Sequence, residues 1–261
     1  MTSQRVDFSH NASTYDRRHG AVISGDAALT LARASSLTPG SRVLDLAAGT
    51  GRVAIPLTAL GCRVVALDPA RPMLDELAKK SAPVSIPRVI GEGAHLPFAS
   101  AQFDAVVIAR LLYLVPDWET LLTEARRVLA SGGRLLHEWS NGDAGEEWVQ
   151  IREKIRAMFE REGVANPFHP GARTEEEVES ALRQRGMTRV ADVRLGAGQP
   201  VSVGMFLQRL VDGECSYTWA VPKDIAARCL PDLQTWAAAR FDLSREVPLP
   251  REIVWRVYSA R

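Results

Sequence analysis

The chain of 261 residues is short of cysteine and of net charge, and no apolar run in it is long enough to span a bilayer. Its three cysteines, Cys62, Cys215 and Cys229, are odd in number, and none sits at CxxC spacing. That argues against a disulfide framework or a structural zinc site, and small buried thiols are the expectation. Lys and Arg (32) almost balance Asp and Glu (31), which leaves a net charge of +1. No global field therefore draws the chain to nucleic acid or to an anionic membrane. The stretch Met1 to His10 is polar and lacks the apolar core of a signal peptide, so a cytoplasmic location is expected. No internal repeat is visible. What is present is ordinary globular composition, with 46% hydrophobic and 24% charged residues, enough to bury a sizeable core.

The first half alternates strand-like and helix-like runs. Val43 to Leu46 reads as a strand ending in a glycine turn, followed by a helix from Thr50 to Leu60 with Gly61 as its stop. Arg63 to Leu67 is a second strand, and Pro72 opens a helix to about Lys80. Arg88 to Ile90 is a short third strand. Phe103 to Ala109 is a nearly continuous apolar run, as expected of a central parallel strand buried on both faces. Asp117 is placed to cap a helix with Trp118, Leu121, Leu122, Ala125 and Leu129 on its apolar face. Gly132 and Gly133 stop it, and Gly133 to Trp139 is a fifth strand. Between Ile90 and Phe103 there is room for one helical turn at most. Such alternation predicts a parallel sheet with helices on both faces.

The second half is spaced differently. Glu146 to Glu162 reads as an amphipathic helix and Asn166 to Gly171 as a loop. Thr174 and Glu177 form a capping-box pattern, and Gly186 ends the helix they open. Thr188 to Leu195 is a strand, Val201 to Leu210 and Pro222 to Phe241 are helical, and Arg251 to Tyr258 is a final strand.

The chemistry centres on Asp45-Leu46-Ala47-Ala48-Gly49-Thr50-Gly51. Two glycines between a strand and a helix allow a tight turn and a close backbone approach to a ligand. Gly49 to Ala54 also fits the GxGxxA form of a dinucleotide site. Asp45 separates the two readings. A carboxylate inside the strand end balances an ammonium group, and S-adenosylmethionine (SAM) carries an ammonium and a sulfonium, whereas a pyrophosphate is repelled. Asp68 ends the second strand at roughly the 20-residue spacing that suits hydrogen bonds to ribose hydroxyls. It supports an adenosine ligand of either kind. Pro69 follows it, and Met73 falls either near an adenine or in plain core.

Over residues 41–140 these motifs resemble the class I SAM-dependent methyltransferases, in particular the small-molecule group that includes the quinone-biosynthesis C-methyltransferases. The resemblance runs through Val43 to Arg52 and Ala66 to Leu74. It continues in Gly91-Glu92-Gly93-Ala94-His95-Leu96-Pro97-Phe98, Gln102 to Val106, Leu112 to Asp117, and Arg126 to Leu135. It implies a Rossmann-like, mostly parallel seven-stranded α/β sheet with helices on both faces and its last strand antiparallel. Extra helices would form a cover over the carboxyl edge. The implied organisation is one domain over 1–261. Within it, 1–40 is an N-terminal helical cover, 41–140 the SAM-binding core, 141–250 the part with helical insertions, and 251–261 the final strand.

By the same resemblance Ala47, Gly49 and Gly51 approach the methionyl part of SAM, Asp68 holds the ribose, and Gly93 and Ala94 face adenine through their backbone. Glu92 reaches the adenine amino group, and Ala109 lies beside the methionyl moiety. Tyr15, in the leading segment Phe8 to Asp16, helps close the pocket. His19 stands where that family often has arginine.

Methyl transfer needs alignment and exclusion of water more than a catalytic set, because the sulfonium is already electrophilic. Pocket candidates are Tyr15, Tyr113, His137 and Trp219, with Glu138, His169 and Tyr217 beside them; adjacent strand residues His137 and Glu138 must point to opposite faces. No metal site is expected. After the fourth strand, Ala109-Arg110-Leu111-Leu112-Tyr113 replaces the Asn/Asp-Pro-Pro-Tyr/Phe segment of enzymes acting on nucleic-acid bases. A small, apolar or aromatic acceptor is expected, with no nucleic-acid and no membrane partner. The other readings are a nicotinamide-dependent oxidoreductase and a SAM-binding protein without transferase activity.

Overall fold

The computed structural model describes residues 9, 12, 15, 16, 22–139, 146–164, 170–196, 200–215, 218, 221–247 and 253–260. Trp219, Tyr217, His169 and His19 lie outside the described residues, as do most of the leading segment and the loop residues 166–169. Two compact units are present. One is built from 7–139, 171–195 and 254–261, the other from 140–170 and 196–253. Of the stretch expected to carry helical insertions, 171–195 therefore belongs with the sheet.

The first unit contains α1 (Gly25–Ala34), β1 (Arg42–Leu46), α2 (Ala54–Ala59), β2 (Arg63–Asp68), α3 (Arg71–Ser81) and β3 (Arg88–Ile90). It continues with β4 (Phe103–Ala109), α4 (Trp118–Val128), β5 (Leu129–Glu138), α6 (Glu175–Gln184), β6 (Met187–Leu195) and β9 (Ile253–Ala260). Its seven strands lie in the order β3-β2-β1-β4-β5-β9-β6. β1 pairs parallel with β2 and β4, β4 with β5, and β9 runs antiparallel to β5. The expected sheet, with its last strand reversed, is therefore present.

The central strands are apolar on both faces, as parallel strands under helices must be. Leu44, Leu46, Val106, Ile108 and Leu135 pack with Leu121, Leu122 and Ala125 of α4 and with Val178, Ala181 and Leu182 of α6. The Leu96-Pro97-Phe98 segment is pinned to α4. The Glu124 carboxylate accepts from Leu96 N–H at 3.0 Å, and Arg127 donates to the carbonyls of Phe98 at 2.8 Å and Leu96 at 3.2 Å. Phe98 then meets the Phe103 ring edge-on at 5.1 Å.

The second unit contains α5 (Glu146–Arg161), β7 (Val201–Ser202), α7 (Val203–Val211), α8 (Lys223–Ala238) and β8 (Glu246–Val247). Its core joins Trp148, Ile151, Ile155 and Phe159 of α5 to Leu207, Leu210 and Leu233. β7 and β8 form a separate two-stranded antiparallel sheet.

Several boundaries differ from the sequence reading, each for a local reason. α2 starts at Ala54 rather than Thr50, because Gly49 and Gly51 have φ of 54° and 88° and hold the chain off the right-handed helical path. β5 starts at Leu129 and runs through Gly132 and Gly133, with a register shift opposite Phe103 and Ala105. Residues 201–202 form a strand instead of a first helical turn, since β8 supplies a partner. Residues 91–102 contain turns and no helix. Asp117 occupies the N-cap position of α4 without a side-chain capping bond. The Thr174 hydroxyl does accept from Glu177 N–H at 3.2 Å, but the Glu177 carboxylate takes the Arg173 N–H rather than that of Thr174.

Between β4 and α4 the chain is fastened to 171–172. Gly171 N–H donates to the Tyr113 carbonyl at 3.1 Å and Ala172 N–H to that of Leu112 at 3.0 Å. A Cβ on Gly171 would sit 2.0 Å from the Leu112 oxygen and 2.7 Å from that of Val115. Neither is a flexible side chain that could yield. Gly171→Ala is expected to destabilise the protein by at least about 2 kcal/mol, read as a lower urea midpoint at unchanged slope. A midpoint equal to wild type would contradict this packing.

Candidate functional site

The parallel register brings the loops after β1, β2, β3, β4 and β5 to one edge of the sheet. The Asp68 carboxylate joins the first two loops. One oxygen accepts from Gly49 N–H at 2.9 Å and the other from Ala70 N–H at 2.8 Å. Burial pushes this carboxyl up to about 6, opposed by those two N–H groups. Ala48 N–H donates to the Leu67 carbonyl at 3.0 Å, and Gly91 N–H to that of Asp68 at 3.3 Å, so the ends of β1, β2 and β3 are tied in a row.

Asp45 is 2% exposed. Burial pushes its carboxyl up to about 7. The Ala54 N–H and the Arg52 charge work against that rise, and the nearby Asp68 adds to it. Its Oδ2 is buried and has no hydrogen-bond partner. Ala47, beside it, has φ of 55°, a left-handed conformation that costs an alanine about 1 kcal/mol. Beyond Gly49 there is open space, its nearest neighbour being the Ala47 carbonyl at 4.0 Å from a notional Cβ. Gly51 is different: a Cβ there would meet Leu77 at 2.9 Å and Ile55 at 3.0 Å. Gly49 thus leaves room for a ligand, while Gly51 lets α3 approach.

The remaining expected residues take varied places. Pro69 is exposed and Glu92 and Gly93 are half-buried, whereas Ala94 is buried. Gly93 lies so close to Leu121 that a Cβ would stand 2.6 Å from its Cδ1. Met73 is buried in a small cluster with Ala12 and Ala70, against which Tyr15 packs. Next to Tyr15, the Asp16 carboxylate accepts from the Thr50 hydroxyl at 2.6 Å and from Lys80 at 2.8 Å. The leading segment is therefore anchored to the glycine turn. Ala109 is half-buried at the end of β4. Tyr113 is buried and meets Trp139 edge-on at 5.7 Å. His137 and Glu138 are both buried and, as adjacent residues of β5, face opposite ways.

Glu138 has partners that the sequence reading did not assign. Arg52 donates to it at 2.5 and 3.2 Å and Arg110 at 2.7 Å. Burial alone would raise this carboxyl, but Arg110 and Arg52 hold it below the usual carboxylate range. Glu138 is thus an ion-pair anchor and unsuited to accept a proton near neutral pH. The signal was available in part, since Arg52 sits in the glycine motif and Arg110 directly follows Ala109. What was missing is the register that sets Ala109 beside Glu138. Among the described residues no group of His, Cys, Asp and Glu could hold a metal ion.

Residues 44–137 match the methyltransferase domain family. Demethylmenaquinone methyltransferase of Corynebacterium glutamicum (strain R) is 44% identical over 99 residues, covering 38% of this chain and 41% of that protein. The chain thus spans about two fifths of the length of the curated relatives it matches. Among solved structures, a candidate methyltransferase from Bacillus halodurans C-125 superposes with TM-score 0.61 at 17% identity, covering 90% of this chain and 99% of that one. A Haemonchus contortus phosphoethanolamine N-methyltransferase, solved with phosphomonomethylethanolamine and S-adenosylhomocysteine, gives TM-score 0.56 at 15% identity, over 97% of this chain and 57% of that one. The fold is that of the class I methyltransferases. Residues 44–137 are similar to the methyltransferase domain and, within it, to demethylmenaquinone methyltransferases.

The residues fit SAM as a cofactor. The buried Asp45 Oδ2, which has no hydrogen-bond partner, suits a cationic group, and no atom crowds the space a Gly49 side chain would take. The Asp45 shift has a testable consequence. Its folded-state pKa lies above the unfolded one, so the folded state holds the proton more tightly. Stability is then lost as pH rises from about 4 to about 7. Asp45→Asn keeps the Ala54 contact and removes that loss. Without ligand it is expected to be more stable than wild type by a few kcal/mol, on the order expected for such a shift, above pH 7, with the gap closing below pH 4. Unfolding curves across that range check it, and a gap independent of pH would refute it.

Proposed function

We propose that this protein transfers the methyl group of SAM to a small-molecule acceptor and releases S-adenosylhomocysteine. The observation that carries the reading is the unpartnered Asp45 oxygen, buried next to the open Gly49 turn and backed by Asp68. A dinucleotide pyrophosphate would be repelled there, which disfavours the nicotinamide alternative.

When bound, SAM supplies an electrophilic methyl on a sulfonium. Asp45 would balance its ammonium group, directly or through water. Asp68 would accept from the ribose hydroxyls with the oxygen lone pairs left over after Gly49 and Ala70. Ala47, Gly49 and Gly51 would border the methionyl part and Ala109 its far side, with Pro69, Met73, Glu92, Gly93 and Ala94 around the adenine. Tyr15 would close over the turn, supported by the Asp16 anchor. The protein's contribution is to align the acceptor and exclude water.

An apolar or aromatic acceptor is supported by the Tyr113–Trp139 pair beside the ends of β4 and β5. Relatives matching the domain are named demethylmenaquinone methyltransferases, but the family match ends at residue 137, before the second unit. Nucleic acid is disfavoured by the near-zero net charge. No described helix is long and apolar enough to cross a membrane, and Cys62, Cys215 and Cys229 form no disulfide, in keeping with a cytoplasmic location.

Calorimetry tests the reading. SAM and S-adenosylhomocysteine are expected to bind with micromolar affinity and NAD not at all, and Asp68→Ala should weaken binding by roughly 1–3 kcal/mol. A metabolite panel scored for S-adenosylhomocysteine release then identifies the acceptor. NAD binding without SAM binding would sink the proposal.

A further inference from the structure

We propose that Glu138 is a positioning residue that sets the charge of the cofactor pocket. By gripping Arg52 and Arg110 it keeps Arg52 off Asp45, and the net negative charge left there favours SAM, with its sulfonium, over S-adenosylhomocysteine, the thioether product. The inference rests on the methyl-transfer reading and assigns that site a residue that tells substrate from product.

Arg52 belongs to the glycine motif itself, two residues before Ala54, whose N–H serves the Asp45 carboxylate. A guanidinium leaving the chain there is within electrostatic reach of Asp45, and Asp45 Oδ2 has no hydrogen-bond partner. An unengaged Arg52 would compete with a ligand's ammonium group for that oxygen. Glu138 prevents this. Nη1 and Nη2 of Arg52 both donate to its carboxylate, at 2.5 and 3.2 Å, so the fork is turned toward β5. Arg110 donates from Nε to the same carboxylate at 2.7 Å. Its backbone has φ of 53°, a left-handed conformation rare for arginine, and its N–H donates to the Glu138 carbonyl at 3.0 Å. Such strain clusters at functional sites. Tyr15 and Tyr113 are among the groups whose charge Arg110 senses, so the turn draws a guanidinium near both phenols back onto β5.

Packing alone does not explain the trio. All three side chains are largely buried, and replacing buried ions by apolar residues of similar volume is often neutral or stabilising. Two guanidiniums on one carboxylate also carry an excess positive charge. The carboxylates at the ends of β1 and β2 more than balance it. Asp45, Asp68 and Glu138 against Arg52 and Arg110 leave one negative charge, while Asp16 and Lys80 beside the turn cancel each other at 2.8 Å. A single charge acts strongly where water is excluded. SAM and S-adenosylhomocysteine share an ammonium and a carboxylate group and differ in a methyl group and the sulfonium charge. The pocket's net charge is therefore a property that separates them.

The test is calorimetric binding of SAM and of S-adenosylhomocysteine to the full chain at pH 8, above the range in which Asp45 and Asp68 titrate. The readout is the ratio of the two affinities. Glu138→Gln releases Arg52 and removes a negative charge, and is expected to lower the ratio of SAM to S-adenosylhomocysteine affinity by about fivefold or more. Arg52→Gln leaves Glu138 on Arg110 and should raise the ratio by a similar factor. Arg52→Lys keeps the charge and should keep the wild-type ratio. Disturbed packing alone would weaken both ligands together, so opposite shifts of the ratio report charge. Where Glu138→Gln does not fold, the two Arg52 variants decide. An unchanged ratio in Arg52→Gln, or a shift in the same direction as in Glu138→Gln, would overturn the proposal. A wild type that binds neither ligand would sink the methyl-transfer reading itself, and this inference with it.

Discussion

The Asp68 carboxylate is the point on which the site depends. It ends β2, is nearly buried, and spends one oxygen on the loop after β1 and the other on the start of the loop after β2. Taking a carboxylate out of water is costly, and two backbone N–H groups offset only part of that cost, as its raised pKa shows. The arrangement persists because the parallel register leaves those loops nowhere else to go. With Gly49 held by Asp68, the glycine turn keeps its left-handed shape, the space beyond Gly49 stays open, and Thr50 is presented to Asp16.

β5 sorts charge between the two faces of the sheet. On one side Glu138 is neutralised by Arg52 and Arg110, an ion pair satisfied from within the protein. On the other, His137 and Arg256 stand together with their hydrogen-bonding capacity mostly unused. Removing one partner of a buried ion pair is strongly destabilising, so the Glu138 side belongs to the architecture. The His137 side has the opposite character: its polar atoms cost stability until something meets them. Neighbouring residues on one strand thus stand in opposite electrostatic surroundings.

The strands were legible where the signal was local. Arg88–Ile90 and Phe103–Ala109 match their predicted limits, because the first lies between Pro87 and Gly91 and the second is a nearly continuous apolar run between polar residues. The start of α2 was not, since a helical residue pattern begins at Thr50 while two positive φ values postpone the helix to Ala54. Gly132 and Gly133 read as a helix stop, yet β4 beside them carries the strand pairing back to Leu129. Trp139 and Arg110 belong to no sequence motif, and nothing along the chain around Arg52, at the end of the glycine motif, points to Glu138.

Sequence alone grouped Asp45, Gly49, Gly51 and Asp68 as a candidate cofactor site, because they sit at two adjacent strand ends and their spacing along the chain reports their spacing in space. It also determined the parallel sheet, whose helix–strand alternation is a local pattern. Only the tertiary structure decided which side chains share a face and a neighbour. His137 and Arg256 are more than a hundred residues apart, and Glu138 meets Arg52 across much of the domain. Such pairs depend on strand order and register, and a single-residue slip would turn each side chain to the opposite face. That is the physical reason the grouping of Asp45, Gly49, Gly51 and Asp68 was legible before folding and the partners of His137 and Glu138 were not.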